Sequence, residues 1–278
     1  MKTNINFQNK LRKISEMQGA GASFEVLEYP ELNGGKDVNS SVMLSFMKDA
    51  NIRLRQAKVT LQGGSVRLEA GALSYLKGNI EMDSSVGGLL GLGKKLLTSK
   101  VTGETAFKPR YKGAGEIFLE PSFGHYALIY LENEEIVVDD GLFYACEDTV
   151  EIGAYMQKNL SASFMGNEGL FQTKLSGRGV VLLEIPVPED EIVKYTLVND
   201  TLKVDGNFAL LRSRGVEFSV EKSSKSLLSS ATSGEGFLNV FRGTGEVWIA
   251  PTQYVYKHLS ISGLAGMNNP GGKSNTNV

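Results

Sequence analysis

Residues that could bind a metal or act as nucleophiles are few in this 278-residue chain, which contains two histidines and one cysteine. His125 lies in SFGHYALIY, His258 in YKHLS and Cys146 in GLFYACEDTVEI. A cupin-like metal centre needs about three histidines and a carboxylate, and a catalytic serine or cysteine needs a local signature that this sequence lacks. A lone cysteine among aromatic and apolar residues packs as a small hydrophobe. The sequence therefore predicts a buried Cys146, no metal site, no cofactor and no enzymatic activity.

Two pairs of adjacent acidic residues could serve in general acid–base catalysis. Asp139-Asp140 precedes a glycine in IVVDDGLFYA, and Glu134-Glu135 lies in LENEEIVV. Acidic residues in such settings commonly occupy solvated turns, where their side chains bond to the local backbone. Both pairs are therefore predicted to lie in turns.

The charge balance disfavours a nucleic-acid partner. The chain has 29 Lys and Arg against 31 Asp and Glu, a formal net charge of −2, so no strong positive field surrounds it. Basic and aromatic residues that could contact RNA occur together at Arg110, Tyr111, Lys112, Arg242 and Trp248. Aromatic side chains beside apolar residues usually pack in a core, and we expect that arrangement here.

The sequence shows no segment that would direct the chain into or across a membrane. Its first residues, MKTNINFQNKLRKISEMQG, lack the apolar core of a secretory signal. No run reaches the ~18 apolar residues of a spanning helix, and a single cysteine suits a reducing compartment. We expect a soluble, cytoplasmic protein that is at most peripheral to a membrane.

One sequence pattern occurs three times and indicates how the chain is organised. A Gly-x-Gly triplet is followed by an apolar run and a proline in YKGAGEIFLEPS (111–122), LSGRGVVLLEIP (175–186) and FRGTGEVWIAPT (241–252). The closing prolines Pro121, Pro186 and Pro251 are spaced by 65 residues in both intervals. Similarity at a fixed period indicates repeated structural modules.

Each module begins with a tight turn, at Ala70-Gly71, Asp140-Gly141 and Asp205-Gly206, and continues with an apolar-Glu-apolar strand. Asp-Gly between apolar runs is a strong hairpin signal, because such turns need positive φ. The Gly-x-Gly triplets are interpreted as further hairpin turns, since a strand rather than a helix follows each of them. The predicted structural turn glycines are Gly71, Gly113, Gly115, Gly141, Gly177, Gly179, Gly206, Gly243 and Gly245.

The modules predict an all-β fold built from pseudo-threefold repeats of antiparallel strands. A single β domain is expected over residues 21–260, with modules at about 66–121, 137–186 and 202–251. Segments 22–31, 41–48 and 51–62 are also interpreted as strands, with a short helix over 47–58 as an alternative. Residues 1–20 are interpreted as an N-terminal extension, and the Gly/Asn-rich residues 261–278 as a disordered tail.

An insert of variable sequence interrupts each module, at residues 83–101, 153–165 and 219–232. The first insert is the most unusual, because it places five leucines around two lysines. Such a basic and apolar segment could contact a membrane or a partner protein, or its leucines could cap one end of the core. The candidate contact residues are Leu89, Leu90, Leu92, Lys94, Lys95, Leu96 and Leu97.

The ordered set of motifs resembles the altered inheritance of mitochondria protein 24 family, in its bacterial branch, over about residues 20–256. The resemblance implies a shortened double-stranded β-helix in repeated copies, similar to the tryptophan RNA-binding attenuation protein, and it brings no catalytic motif. Eukaryotic members are linked to mitochondrial inner-membrane organisation, but this sequence has no Arg-rich transit peptide. The segments that carry the resemblance are GALSYLKGNIEM, GLLGLGKKLL, TGETAF, YKGAGEIFLEP, VVDDGLFYAC, GNEGLFQTKLSGRGVVLL, VDGNFALL and SGEGFLNVFRGTGEVWI.

These observations lead to two functional hypotheses. The first is a non-enzymatic β scaffold that binds a partner protein or a membrane surface through the first insert, with assembly into a homo-oligomer as a further expectation. The alternative is a small-molecule binding module with a pocket among the three inserts. Fold alone does not choose between them, because function depends on sites.

Overall fold

The chain is all-β in the computed structural model, which describes residues 2–3, 11–83, 108–156, 171–222 and 237–262. Within these ranges there are thirteen strands, two α-helices and one short 3-10 helix. The all-β class predicted from the sequence is confirmed. The chain divides into two compact units, Met1–Ile185 and Pro186–Val278, and the boundary coincides with the second closing proline.

The described part of the first unit contains nine strands and one helix, and its strand pairs are antiparallel. Hydrogen-bonded neighbours follow the order β1-β2-β3-β7-β9-β6, while β5 pairs with both β3 and β4, and β8 pairs with β9. These strands are β1 (Arg12–Gln18), β2 (Ala22–Tyr29), β3 (Leu54–Leu68), β4 (Leu73–Met82), β5 (Arg110–Leu119), β6 (His125–Val138), β7 (Phe143–Glu147), β8 (Val150–Met156) and β9 (Phe171–Ile185).

Alternation and continuous apolar runs build the core of the first unit. In β2, Ala22, Phe24 and Val26 point inward on alternate positions, as period-2 geometry requires. In β9, the run Val180–Leu183 is buried at consecutive positions, as expected of a strand that is covered on both faces. The strands predicted at 22–31 and 51–62 are confirmed as β2 and β3.

The second unit is arranged around its longest strand. It contains β10 (Val193–Val204), β11 (Ala209–Ser213), β12 (Val216–Lys222) and β13 (Phe237–Ile249), with a 3-10 helix at Glu189–Glu191 and helix α2 at Gln253–Ser262. Strand β10 pairs along most of β13, whereas β11 and β12 pair with successive parts of it. Its core cluster consists of Leu197, Val204, Val216, Phe241, Val247 and Ile249.

The interpretation of the Gly-x-Gly triplets as hairpin turns is wrong, because all three lie inside long strands. Gly113 and Gly115 are in β5 with φ of 138° and 152°, values that side-chain-bearing residues rarely adopt. A Cβ atom on Gly113 would lie 2.1 Å from the Asn79 carbonyl oxygen of β4. The glycines therefore permit close backbone approach rather than chain reversal. The same correction applies to Gly177 and Gly179 of β9 and to Gly243 and Gly245 of β13.

A bulge with one left-handed residue lies opposite each of these glycine pairs. The register shifts between Gln62 and Ser65 in β3, where Gly63 has φ of 87°. Corresponding shifts occur at Asn133 in β6 and at Asn199 in β10, with φ of 60° and 50°. The arrangement of a bulge opposite a glycine pair thus occurs in β3/β5, β6/β9 and β10/β13. The pseudo-threefold β-helix architecture and the module boundaries stay predictions.

The connections predicted at Gly71, Gly141 and Gly206 are present. They join β3 to β4, β6 to β7 and β10 to β11, with φ of 83°, 76° and 104°. The acidic residue Asp140 lies in the second of these turns, as predicted. Glu134-Glu135 does not lie in a turn, because β6 continues through it past the bulge at Asn133.

Helix α1 replaces the strand predicted at 41–48. It spans Val38–Asp49 in the first unit and ends before β3 begins at Leu54, so the alternative helix at 47–58 is also wrong. Strand β1 lies within the segment interpreted as an N-terminal extension. The first-insert contact residues Leu89, Leu90, Leu92, Lys94, Lys95, Leu96 and Leu97 lie outside the described residues, as does the tail from 263.

Candidate functional site

Local hydrogen bonds define where helix α1 begins and ends. The Asp37 carboxylate accepts a bond from the Ser40 backbone N–H at 2.8 Å, and the Ser40 hydroxyl accepts one from the Asp37 N–H at 3.2 Å. This capping box satisfies backbone donors that the first turn leaves open. The bond from the Ser40 backbone lowers the pKa of Asp37. The helix stops at Ala50, after which Asn51 adopts φ of 56°.

The solvent-facing side of α1 is apolar. Val38, Val42, Met43 and Phe46 are 77%, 45%, 62% and 67% exposed, and no residue of the helix is buried. Val38, Val42 and Phe46 follow one another at i, i+4 and i+8, so they form a continuous stripe. A surface helix normally turns such a stripe towards the core. We call these four residues the outer face of α1.

A cavity of about 280 Å³ lies against another side of the same helix. Leu44 and Met47 of α1 and Leu54 of β3 contribute apolar surface to it. Ser41 and Ser45 of α1 line it as well and supply hydroxyl groups. The cavity therefore combines apolar walls with hydrogen-bonding groups, the usual character of a small-ligand site.

Among the residues that the structure describes, two cations and one carboxylate line this cavity. The Lys48 ammonium and the Glu31 carboxylate are 3.0 Å apart and form an ion pair. Arg53 is half-buried, and within the part of the chain that the structure describes it makes no hydrogen bond or ion pair. The cavity wall thus carries one positive charge in excess.

Two edge strands expose further apolar side chains. In β4, Tyr75 and Met82 are exposed, and the Tyr75 ring stacks on Phe118 of β5 with centroids 4.4 Å apart. In β10, Tyr195 and Val198 are exposed. These residues belong to paired strands, so their contribution to a binding surface is secondary to that of α1.

The cysteine and the histidines that the sequence offered as candidates for catalysis or metal binding lie on strands and on helix α2, not on α1. Cys146 is fully buried in β7, and desolvation raises the pKa of its thiol, which suppresses the reactive thiolate. The prediction that it is buried is confirmed. His125 begins β6 in the first unit, whereas exposed His258 lies on α2 of the second. Among the residues described, no cluster of His, Cys, Asp and Glu could hold a metal ion.

Four of the residues considered for RNA contact are buried or interact with other side chains. Tyr111 is buried in the core of the first unit, as predicted. Arg110 forms ion pairs with Asp83 at 3.0 Å and Asp148 at 2.6 Å. Arg242 pairs with Glu221 at 3.1 Å, and the Trp248 ring has the Lys194 ammonium 5.8 Å from its centroid.

Sequence reasoning missed α1 and therefore the surfaces that it forms. A signal was present at Asp37, because Asp is among the preferred N-cap residues of helices. The segment SVMLSFMK was interpreted as a strand instead. None of the helices in the described ranges is long and apolar enough to span a membrane.

Comparison with known proteins places the chain in a family. A family model described as "Mitochondrial biogenesis AIM24" matches residues 48–252. A relative from Streptococcus pyogenes serotype M6, described as an uncharacterized protein, is 28% identical over 214 residues, which cover 74% of this chain and 85% of that one. A crystal structure of a Streptococcus pyogenes protein is similar with a TM-score of 0.55 and 25% identity, covering 75% of this chain and 94% of that one. The chain therefore belongs to the AIM24 family.

Proposed function

We propose that this protein is a non-enzymatic cytoplasmic scaffold that binds a partner protein through the outer face of α1. The observation that carries the proposal is the exposure of Val38, Val42, Met43 and Phe46 on a capped helix. Anchors at i, i+4 and i+8 suit insertion into an apolar groove of another protein.

Charge favours a protein groove over an anionic membrane as the occupant of this face. Membrane-surface helices carry several Lys and Arg on their polar side. The polar positions of α1 are instead occupied by Asn39, three serines, Asp49 and Lys48, and the Lys48 ammonium is paired with Glu31. Little positive charge is therefore left to attract anionic lipids.

Site-specific photocrosslinking tests the proposal. A benzophenone amino acid is placed at position 46 in the cellular protein, with a control at Lys77, an exposed residue of β4. We expect a discrete adduct with another protein from position 46 and none from position 77. With the purified partner, Phe46→Ser should weaken binding by about tenfold or more, without lowering Tm, because the ring is exposed.

Three results would count against this proposal. Equal crosslinking from both positions would show that the outer face is not selective. Salt-sensitive flotation with anionic liposomes that Phe46→Ser abolishes would identify a membrane as the occupant. Loss of binding only in a Leu89→Ser, Leu90→Ser and Lys94→Ser variant, with Phe46→Ser unaffected, would move the contact to the first insert.

A further inference from the structure

We propose that the cavity beside α1 binds a small organic anion, with one carboxylate or phosphate group and a short apolar body. This site lies on a different side of α1 from the outer face. The inference does not depend on the scaffold proposal, and either can fail alone.

Arg53 is the main reason to expect an anion. The Arg53 side chain is partly buried at the cavity wall, so an anion in the cavity could bind its guanidinium with less competition from water than at an open surface. Arg53 lines the cavity and has no hydrogen bond or ion pair within the described ranges. Its planar fork of N–H donors matches the two oxygens of a carboxylate or phosphate.

The remaining polar groups around the cavity are compatible with a ligand that carries a single acidic group. Ser41 and Ser45 supply hydroxyls that can donate to an anionic oxygen. Lys48 also lines the cavity, but Glu31 neutralises it at 3.0 Å. The Glu31 carboxylate would repel a second acidic group, so a ligand with one acidic group fits this wall better than one with several.

The apolar walls indicate the rest of the ligand. Leu44, Met47 and Leu54 would contact a hydrocarbon body, which a bare inorganic anion lacks. A volume of about 280 Å³ is at the small end of ligand sites. A chain of about six carbons with one acidic head is therefore a suitable probe.

Two methionines of α1 provide an internal control for a binding experiment. Met47 lines the cavity, whereas Met43 belongs to the exposed outer face. In full-length protein labelled with ¹³C at the methionine methyl groups, hexanoate and hexyl phosphate are titrated separately. We expect saturable shifts of the Met47 methyl signal with at least one of them, and little change at Met43.

Titrations with three further ligands identify which chemical feature the cavity recognises. Hexanol supplies the same body without charge, inorganic phosphate supplies charge without the body, and phosphatidylcholine vesicles containing phosphatidic acid supply an anionic lipid head group. Arg53→Gln should weaken binding of the active probe by at least about tenfold. Arg178→Gln, which changes an exposed arginine of β9, should leave it unchanged.

Each outcome decides the proposal. Saturation by hexanoate or hexyl phosphate with loss in Arg53→Gln supports it, provided that far-UV circular dichroism shows the variant to be folded. Equal binding of hexanol, or unchanged affinity in Arg53→Gln, overturns anion recognition. A shift of the Met47 signal with vesicles alone would contradict a soluble ligand. The absence of any Met47 shift would contradict the proposed site.

Discussion

Glu147 shows how a buried acidic residue can be structural rather than catalytic. Its carboxylate lies at the end of β7 and is almost fully buried. It accepts backbone N–H bonds from Gly21 at 3.0 Å and from Val180 of β9 at 2.9 Å. The side chain therefore connects the β1–β2 corner to the centre of the first unit by satisfying two donors at once.

We predict that Glu147→Gln lowers the free energy of unfolding by about 1–3 kcal/mol. A glutamine has one acceptor oxygen, so its amide nitrogen would face one of the two backbone donors and leave it unsatisfied. Urea unfolding followed by far-UV circular dichroism measures the change. The control is Glu151→Gln on β8, whose side chain is exposed. Equal stability of the two variants would show that the backbone bonds to Glu147 contribute little.

Individual residues were predictable from sequence where their chemistry is local. Asp140-Gly141 forms its turn because positive φ is a property of the glycine itself. Burial of Cys146 followed from its apolar neighbours. Glu147 gave no such signal, because one of its hydrogen-bond partners, Gly21, is 126 positions away in sequence. Arg53 was likewise indistinguishable from a surface arginine.

At the scale of elements, the glycine strands depend on backbone contacts that no side chain can enter. We predict that Gly113→Ala destabilises the protein by at least about 3 kcal/mol, because strain at φ of 138° adds to overlap with Asn79. Gly71→Ala should cost about 1 kcal/mol, since its φ is positive but the space around it is open. Urea unfolding of both variants provides the comparison.

Gly34→Ala is the matched control for these substitutions. A Cβ atom there meets nothing within 4 Å, so stability should stay within about 0.5 kcal/mol of the original protein. The loss of stability should be largest for Gly113→Ala, smaller for Gly71→Ala and smallest for Gly34→Ala. A Gly113→Ala protein as stable as Gly34→Ala would mean that β4 and β5 can separate without loss.

Strands were predictable where the alternation of apolar residues and the positions of turn residues indicate the same boundaries, as in β2 and β3. The Gly-x-Gly triplets misled because glycine signals positive φ without saying whether the chain reverses or passes close to another strand. Helix α1 was missed because its apolar residues include the consecutive positions Val42, Met43 and Leu44, and a short apolar run fits a buried strand as well as a helix. The first error concerns tertiary surroundings that the local sequence does not encode, and the second concerns an ambiguity of the local pattern itself.

At the scale of the whole molecule, the all-β class and the family followed from the recurring motifs, whereas the division into units did not. The predicted single domain over 21–260 includes the boundary at Pro186. Each unit contains one spectroscopic or chemical reporter of its own. Cys146 is buried in the first unit, and Trp248, the sole tryptophan, lies in β13 of the second.

These reporters give the last prediction, that the second unit unfolds at lower urea than the first. It spans half as many residues, and a smaller unit buries a smaller fraction of its surface. A difference of about 1–2 kcal/mol would separate the midpoints by about 0.5–1 M urea. Trp248 fluorescence reports the second unit, and pulsed thiol labelling of Cys146 reports the first.

Core substitutions in each unit distinguish independent from joint unfolding. Val247→Ala removes buried volume from the second unit and should lower only the Trp248 midpoint, whereas Leu68→Ala acts on the first and should lower only that of Cys146. If both substitutions move both midpoints together, the two units unfold as one cooperative domain. That result would support the single domain predicted from the repeats, because modules that must pack on their neighbours should not unfold separately.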